Sequence, residues 1–213
     1  MTLNAADQAT AARLLAEAGQ YHKEAAALYA ALSDDPFYAL LEARAVHPSG
    51  PHAAMMGYFG YSIVEGERFG RIICAEDGAG ASIWTLPLTA EEAARKARDK
   101  ALVLEACLGP DSLSAYQELN ANMSDLTGPL INSDDWYLSI LGLHPDHQGR
   151  GLGARLVEPV LREAETAGVS TYLETWSPRN KSFYARLGFQ ELGEITEPLT
   201  GLPYWVMGRA AAG

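Results

Sequence analysis

The hydrophobic pattern divides the chain into a helical first third and a later region of alternating strands and helices. Over segment 1–32, apolar positions such as Leu14, Ala18 and Tyr21 recur at helical spacing in a background rich in Ala, Leu and Glu. The polar run 33–36 ends that helix, and a second helix is predicted over about 51–67 with proline at its first position.

After the second helix, the hydrophobic pattern changes to short apolar runs separated by turn residues. Segments 71–76 and 81–86 alternate as strands around a glycine-containing turn at 77–80, which predicts a β-hairpin. Two further helices are predicted, one over 89–107 beginning with a near capping sequence and one over 112–126. Residues 128–135 form a linker.

From Trp136 onward, strands and helices alternate regularly. The predicted order is strand 136–143, helix 151–167 containing Pro159, strand 171–175, short helix 180–187, and the strands 189–195 and 204–207. A strand, helix and strand in succession imply a parallel crossover, and the last two strands imply antiparallel pairing. The expected fold class is therefore α/β with a mixed sheet in a single domain spanning 1–213.

Charge is distributed unevenly along the chain. Of its 213 residues, 48% are apolar and 20% charged, as in ordinary globular proteins, and the net charge is −11. From Trp136 to the end there are 8 acidic and 7 basic side chains, so segment 1–135 holds 19 acidic and 9 basic ones. This balance argues against nucleic-acid and anionic-membrane partners, and no apolar run approaches the ~18 residues that a membrane span needs.

The two cysteines, Cys74 and Cys107, have neither metal-binding nor redox spacing. No leader-like segment precedes them, so we expect reduced thiols in a cytoplasmic protein that needs no metal.

A glycine-rich segment, His147-Gln148-Gly149-Arg150-Gly151-Leu152-Gly153-Ala154, lies between a predicted strand and a helix N-terminus. Such a segment suits a phosphate group, because main-chain N–H groups and the helix dipole converge there; a merely flexible turn is the alternative. Gly149, Gly151 and Ala154, followed by Glu174, formally satisfy a dinucleotide fingerprint. However, five residues separate the strand from the first glycine and no parallel units precede it, so we reject nicotinamide binding.

Residues 138–156 resemble the CoA-binding signature of the GNAT superfamily of acetyl-CoA-dependent N-acetyltransferases, Gln/Arg-x-x-Gly-x-Gly/Ala, here Gln148, Gly151 and Gly153. Residues 178–189, with Asn180, Phe-Tyr and Gly-Phe, resemble the second signature of that family. The similarity extends to the branch that includes puromycin N-acetyltransferase, through segments 75–78, 84–85, 145–149, 173–175 and 178–180.

The resemblance implies a mostly antiparallel mixed sheet that splays at the cofactor site and is flanked by helices, with extra helices in the N-terminal half. Residues 136–209 would be the acetyl-CoA core and 1–135 the acceptor side. The family's opening strand has only a weak counterpart at 2–4. The residues implied in acetyl-CoA binding are Leu141, Gly142, Leu143, Gln148, Gly149, Arg150, Gly151, Leu152, Gly153, Asn180 and Tyr184.

Two residues are candidates for the chemistry. Tyr184 matches the family tyrosine whose hydroxyl lies near the CoA sulfur, and the alternative is an aromatic packing role. Glu174 is placed for a base acting through water, or equally for a structural pairing with Arg179 or Arg186. Asn180 could be a pantetheine ligand, a helix N-cap, or both. On the acceptor side, the candidates that could equally be ordinary surface or core are Asp34, Asp35, Tyr38, His47, His52 and Trp84.

The implied function is direct acetyl transfer from acetyl-CoA to a primary amine of a small molecule, such as an aminonucleoside or similar antibiotic, by a monomer or homodimer. The acidic segment 1–135 favours a cationic or amphipathic acceptor. Two alternatives stay open: a protein N-terminal or lysine acetyltransferase, and a CoA-binding module without catalytic activity.

Overall fold

Two hydrophobic clusters, one on each face of a mixed β-sheet, organise the fold. In the computed structural model, which describes residues 3–211, the larger cluster joins the N-terminal helices to Ile83 and Ile140 of the sheet. The second cluster packs the long helix after the glycine-rich segment against Trp84, Leu138 and Leu173. Burial of both sheet faces explains why the central strands are apolar at consecutive positions.

Within residues 3–211 the structure contains six strands and eight α-helices. The helices are α1 (Ala5–Ala18), α2 (His22–Leu32), α3 (Pro36–Arg44), α4 (Pro51–Phe69), α5 (Ala90–Cys107), α6 (Pro110–Thr127), α7 (Leu152–Ala167) and α8 (Lys181–Arg186). The strands are β1 (Gly70–Cys74), β2 (Gly80–Thr85), β3 (Trp136–Leu143), β4 (Thr171–Thr175), β5 (Gln190–Thr196) and β6 (Pro203–Arg209).

The sheet has the strand order β1-β2-β3-β4-β6-β5. Only β3 and β4 pair in parallel, and every other neighbouring pair in the described chain is antiparallel. The crossover between β3 and β4 is α7, which has a stripe of buried apolar residues and continues past Pro159. This mixed, mostly antiparallel sheet confirms the expected fold class.

The N-terminal third differs from the prediction in two places. The first predicted helix is two helices, α1 and α2, joined by the 3-10 turn Gly19–Tyr21. The segment taken as a helix stop also begins one: Asp35 accepts a hydrogen bond from the N–H of Phe37 at 3.0 Å, and Pro36 occupies the first turn of α3. The same Asp-Pro pair ends one helix and caps the next, which the hydrophobic pattern did not reveal.

The weak strand candidate at 2–4 forms no strand over its described residues, Leu3 and Asn4. Asn4 is the N-cap of α1 and accepts a hydrogen bond from the N–H of Asp7 at 3.0 Å, so Leu3 and Asn4 lead directly into a helix. Thr2, the first residue of the weak strand candidate, lies outside the described residues.

Close approach between β2 and β3 makes Gly80 sensitive to substitution. A Cβ atom at Gly80 would lie 2.2 Å from the carbonyl oxygen of Gly142, so Gly80→Ala should force the two strands apart. We expect a loss of about 1–3 kcal/mol in the free energy of unfolding and a thermal midpoint lower by about 2–12 °C.

Gly19→Ala is the matched control, because no atom lies within 4 Å of the added Cβ and the backbone there is right-handed helical. It should leave the midpoint unchanged or raise it slightly. Equal midpoints for the two variants would contradict the close approach.

Candidate active site

The central strands separate part of the way along their length. Strand β3 pairs with β4 only over Trp136–Leu138, opposite Thr171–Leu173. Beyond Leu138, β3 stays bound to β2 alone, while β4 continues beside β6 as far as Thr175. The main-chain groups of 139–143 on the side of β4 therefore have no strand partner in the described structure.

A β-bulge lies where the separation begins. Ile83 pairs with Ile140 and Trp84 with Leu138, so Ser139 is the extra residue, and its hydroxyl donates to the carbonyl oxygen of Ile83 at 3.0 Å. The extra residue reverses the alternation of side chains along β3, so Leu138 faces α7 whereas Ile140 faces the N-terminal helices. The bulge thus bends β3 at the point where it leaves β4.

A cavity of about 310 Å³ occupies the opening between these strands. It extends from the sheet toward the N-terminal helices, and both candidate catalytic residues, Glu174 and Tyr184, line it. Its lining also includes Asp35, Tyr38, Tyr58, Glu65, Thr85, Lys96, Lys100, Tyr116, Leu141 and Asn180.

Glu174 is held by two hydroxyl groups. Tyr137 donates to Oε2 at 2.8 Å and Thr127 donates to Oε1, while the hydroxyl of Thr127 lies 3.2 Å from that of Tyr204. Burial raises the pKa of Glu174, and the two hydrogen bonds partly oppose that rise. The predicted alternative, a pairing with Arg179 or Arg186, is wrong, because uncharged hydroxyls from α6 and β3 occupy both carboxylate oxygens.

Tyr184 both packs in the core and lines the cavity. Its ring packs against Phe183 and Phe189, with centroids 5.1 and 6.0 Å away, and the side chain is buried. The residue also lines the cavity, and burial together with the charge of Asp35 raises the pKa of its hydroxyl. The hydroxyl therefore keeps its proton well above neutral pH.

The glycine-rich segment has glycine for two different reasons. Gly149 and Gly151 have φ values of 75° and 76°, and a Cβ atom would meet nothing within 4 Å at either one, so backbone conformation and not space requires glycine there. A Cβ atom on Gly153 would lie 3.3 Å from the ring of Phe183, so this glycine lets α8 approach α7.

Of the predicted cofactor residues, Leu141, Asn180 and Tyr184 line the cavity, and the others lie outside its lining. Gln148 donates through its side chain to the carbonyl oxygen of Leu143 at 2.9 Å, which ties the segment to the end of β3. Gly151 is the N-terminal flanking residue of α7, and Leu152 and Gly153 form its first turn. Gly142 faces Leu28 of α2, and Arg150 is exposed.

Asn180 does not act as a helix cap. It precedes α8 with helical dihedral angles and makes no capping hydrogen bond, so that alternative is wrong. Instead, Asn180 lines the cavity beside Tyr184 with an exposed side chain.

The acceptor-side candidates divide into two groups. Asp35 and Tyr38 line the cavity, and burial raises the pKa of Asp35 to about 6. The other four do not line it: His52 packs edge-on against Tyr29, Trp84 is buried with its indole N–H donating to Ser82, His47 accepts from the N–H of Ser49, and Asp34 is exposed.

Sequence reasoning missed the wall formed by α4, α5 and α6. Lys100 contacts Glu65 at 3.4 Å and donates to the hydroxyl of Ser62 at 3.2 Å. Its ammonium group also lies 4.7 and 5.7 Å from the ring centroids of Tyr58 and Tyr116. The available signal was the spacing of Lys96 and Lys100, four residues apart on the helix face that continues to the buried Val103 and Cys107.

Residues 3–211 contain neither a metal-binding cluster nor a membrane-spanning helix. Among residues 3–211, no cluster of three or more His, Cys, Asp or Glu side chains is arranged to hold a metal ion. None of the helices in that range combines the length and apolar character that crossing a membrane requires.

The sequence of the chain is similar to those of acetyltransferases. The model of the acetyltransferase (GNAT) family matches residues 89–189, which include the glycine-rich segment, Glu174, Asn180 and Tyr184. An uncharacterized N-acetyltransferase of Schizosaccharomyces pombe is 26% identical over 184 residues, covering 81% of this chain and 72% of the yeast protein.

Solved structures share the fold over nearly the whole chain. A protein of Corynebacterium glutamicum, described as histone acetyltransferase HPA2 and related acetyltransferase, superimposes with a TM-score of 0.61 at 21% identity, covering 92% of this chain and 93% of its own. Arylalkylamine N-acetyltransferase 2 of Aedes aegypti gives 0.58 at 15% identity, with 91% and 96% covered. The polyamine N-acetyltransferase of Drosophila melanogaster gives 0.56 at 18% identity, with the same coverage. Residues 89–189 thus match the acetyltransferase (GNAT) family, and together with the shared fold this match supports an N-acetyltransferase.

Proposed function

We propose that this enzyme transfers the acetyl group of acetyl-CoA directly to a primary amine of a small molecule. The observation that supports this most strongly is the separation of β3 from β4 with Glu174 and Tyr184 in the same cavity. A carboxylate and a hydroxyl at one opening are the base and the acid that amine acetylation needs.

Three features fit acetyl-CoA, which supplies an activated acetyl thioester when bound. The unpaired main chain of 139–143 offers N–H and C=O groups to the amide-containing arm of CoA, as an added strand would use them. The segment from Gln148 to Gly153 leads into the N-terminus of the 16-residue helix α7, which favours a pyrophosphate group. Asn180 lies beside the same opening and can hydrogen-bond the arm.

Glu174 is the proposed base. An alkylammonium group must lose a proton before its nitrogen can attack, and Glu174 receives that proton directly or through a water molecule. Burial makes its carboxylate more basic than an exposed one, and the hydroxyls of Thr127 and Tyr137 fix its orientation. The raised pKa therefore serves proton acceptance at neutral pH.

Two further groups complete the transfer. A main-chain N–H near the bulge at Ser139 stabilises the negative charge that develops on the carbonyl oxygen, since those groups lack strand partners. Tyr184 donates its proton to the departing sulfur, and its raised pKa keeps the hydroxyl protonated for that step. No acetylated enzyme side chain is required.

A small-molecule acceptor agrees best with the cavity. Its volume of about 310 Å³ is at the lower end of the range for small-molecule sites, and helices of the N-terminal part form its outer wall. Two structures with the same fold belong to proteins named for arylalkylamines and polyamines. An aminonucleoside, which the resemblance to the puromycin N-acetyltransferase branch suggests, is one member of this acceptor class.

The proposal is tested by thermal stability and by release of CoA thiol with a panel of amines. Acetyl-CoA at 100 times its dissociation constant should add about 2.7 kcal/mol to the free energy of unfolding, and NAD should add nothing. Gly151→Val should lose this protection, because a β-branched residue cannot adopt the left-handed conformation of Gly151 without strain.

The alternatives give different results in the same assays. Stabilisation by acetyl-CoA without thiol release from any amine would indicate a binding module, and release with peptides alone would indicate a protein acetyltransferase. Unchanged acetyl-CoA affinity in Gly151→Val would place the phosphate site elsewhere.

Glu174→Gln should lower kcat by about 10²–10⁴-fold while the affinity for acetyl-CoA stays constant. Since burial raises the pKa of Glu174, the acidic limb of the wild-type kcat/KM profile should lie above the usual range of a glutamate, with activity falling as pH decreases through it. Tyr137→Phe removes a hydrogen bond that lowers this pKa, so it should move the limb to higher pH.

Profiles measured with two amines of different pKa distinguish the titration of Glu174 from that of the substrate. Only the limb that belongs to the substrate shifts when the amine is changed. The exposed Glu158 provides the control Glu158→Gln. Full activity in Glu174→Gln would exclude this residue as the base.

Tyr184→Phe should lower kcat by about 100-fold and leave acetyl-CoA affinity nearly unchanged, because a thiol with an ordinary pKa of about 8.5 is already a tolerable leaving group. Because burial raises the pKa of Tyr184, wild-type activity should not fall through loss of this proton below about pH 10.

Tyr172→Phe is the matched control, since Tyr172 stacks on Tyr137 and lies outside the cavity lining. If Tyr184→Phe keeps full turnover and melts several degrees lower, the hydroxyl has no catalytic role.

A further inference from the structure

A groove between α5 and α6 adjoins the cavity. This groove has a volume of about 540 Å³ and a mostly apolar lining. The residues common to the cavity and the groove are Glu65, Thr85, Lys96, Lys100, Tyr116 and Asn120. Asp35, Glu174 and Tyr184 line only the cavity, so the shared residues mark the side of the cavity that adjoins the groove.

The charges of the shared residues do not balance. Lys100 has a carboxylate partner in Glu65 and lies against the rings of Tyr58, Tyr61 and Tyr116. Lys96 has no carboxylate within ion-pair distance in the part of the chain that the structure describes. Its ammonium group donates instead to the neutral hydroxyl of Thr85 at 3.1 Å.

Lys96 is turned inward and only partly exposed, whereas a surface lysine usually extends its ammonium group into water. Burial and the nearby charge of Lys100 lower its pKa, and the charge of Glu65 partly offsets this. Glu65 pairs with Lys100 through Oε2, and its buried Oε1 has no hydrogen-bond partner, so neither oxygen forms an ion pair with Lys96. The junction of Lys96, Lys100 and Glu65 therefore carries one excess positive charge.

We propose that Lys96 binds an anionic group of the acceptor, so that the substrate is a small zwitterion with a primary amine at one end and a carboxylate at the other. The claim rests on the proposed acetyl transfer and adds the substrate class. The amine would lie beside Glu174, and the carboxylate would receive hydrogen bonds from Lys96.

The walls between the two ends specify the body of this substrate. Phe37, Tyr38, Tyr58 and Tyr116 meet edge to face along the cavity, with ring centroids 5.2–6.4 Å apart. Such walls favour an apolar or aromatic chain between the amine and the acid. The acidic character of segment 1–135 thus applies to the amine end, and Lys96 sets the opposite preference at the far end.

The test compares ω-amino carboxylic acids of graded length, including an aromatic one such as 4-(aminomethyl)benzoate, with their methyl esters. The wild-type enzyme should prefer an acid over its own ester by about 10- to 100-fold in kcat/KM, mainly through KM, as for a hydrogen bond to a charged group. Lys96→Met should abolish this preference, because its activity should fall with the acid and stay constant with the ester. Lys96→Arg should keep most of the preference for the acid.

Arg98→Met is the matched control, because Arg98 is on the opposite, exposed face of α5 and pairs with Asp7. It should leave the preference unchanged. Phosphonate analogues show whether the site requires a carboxylate, and a preference for them that Lys96→Met also removes would support the same anion site.

Equal activity on acids and esters in the wild type, or a preference that survives Lys96→Met, would overturn the assignment. Calorimetric binding of the same acids and esters in the presence of CoA repeats the comparison without turnover. If binding shows the Lys96-dependent preference while no amine releases thiol, the proposed transfer fails and the anion site stands.

Discussion

The early end of pairing between β3 and β4 is the feature on which the site depends. A strand that leaves its neighbour exposes main-chain N–H and C=O groups, and each such group costs about 1–3 kcal/mol if it is buried without a partner. Here β3 remains anchored to β2 along its whole length, and α7 packs against both strands, so the opening persists without unravelling the sheet. The polar edge left at 139–143 is then available to a ligand with amide groups.

The N-terminal helices cover this opening on the acceptor side. Gly142 allows Leu28 of α2 to approach β3 closely, so the sheet is covered on the acceptor side. The hydroxyl of Thr127 connects the end of α6 to Glu174 on β4, so the acceptor wall and the proposed base belong to one hydrogen-bonded unit. An acceptor that displaces α6 would therefore also move the carboxylate of Glu174.

Sequence reasoning predicted the elements and motifs that depend on local chemistry. The bounds of β3 and β4 agree with the prediction, and the Thr89–Glu92 capping box begins α5 as expected. Helix α3 was missed because the Asp-Pro pair that signals a helix stop also signals a start. The hydroxyl partners of Glu174 could not be predicted, since Thr127 and Tyr137 meet it only through the sheet and the end of α6.

The net charge of the chain also fails to predict the charge that an acceptor meets in the cavity. Segment 1–135 carries 19 acidic and 9 basic side chains, yet two of its lysines face the cavity. Charges in solvent are screened within about 10 Å at ordinary salt, whereas charges in a partly buried cavity are screened much less. The potential that an acceptor experiences is therefore set by a few inward-facing groups, Asp35, Glu174 and Lys96, and not by the balance over the whole surface.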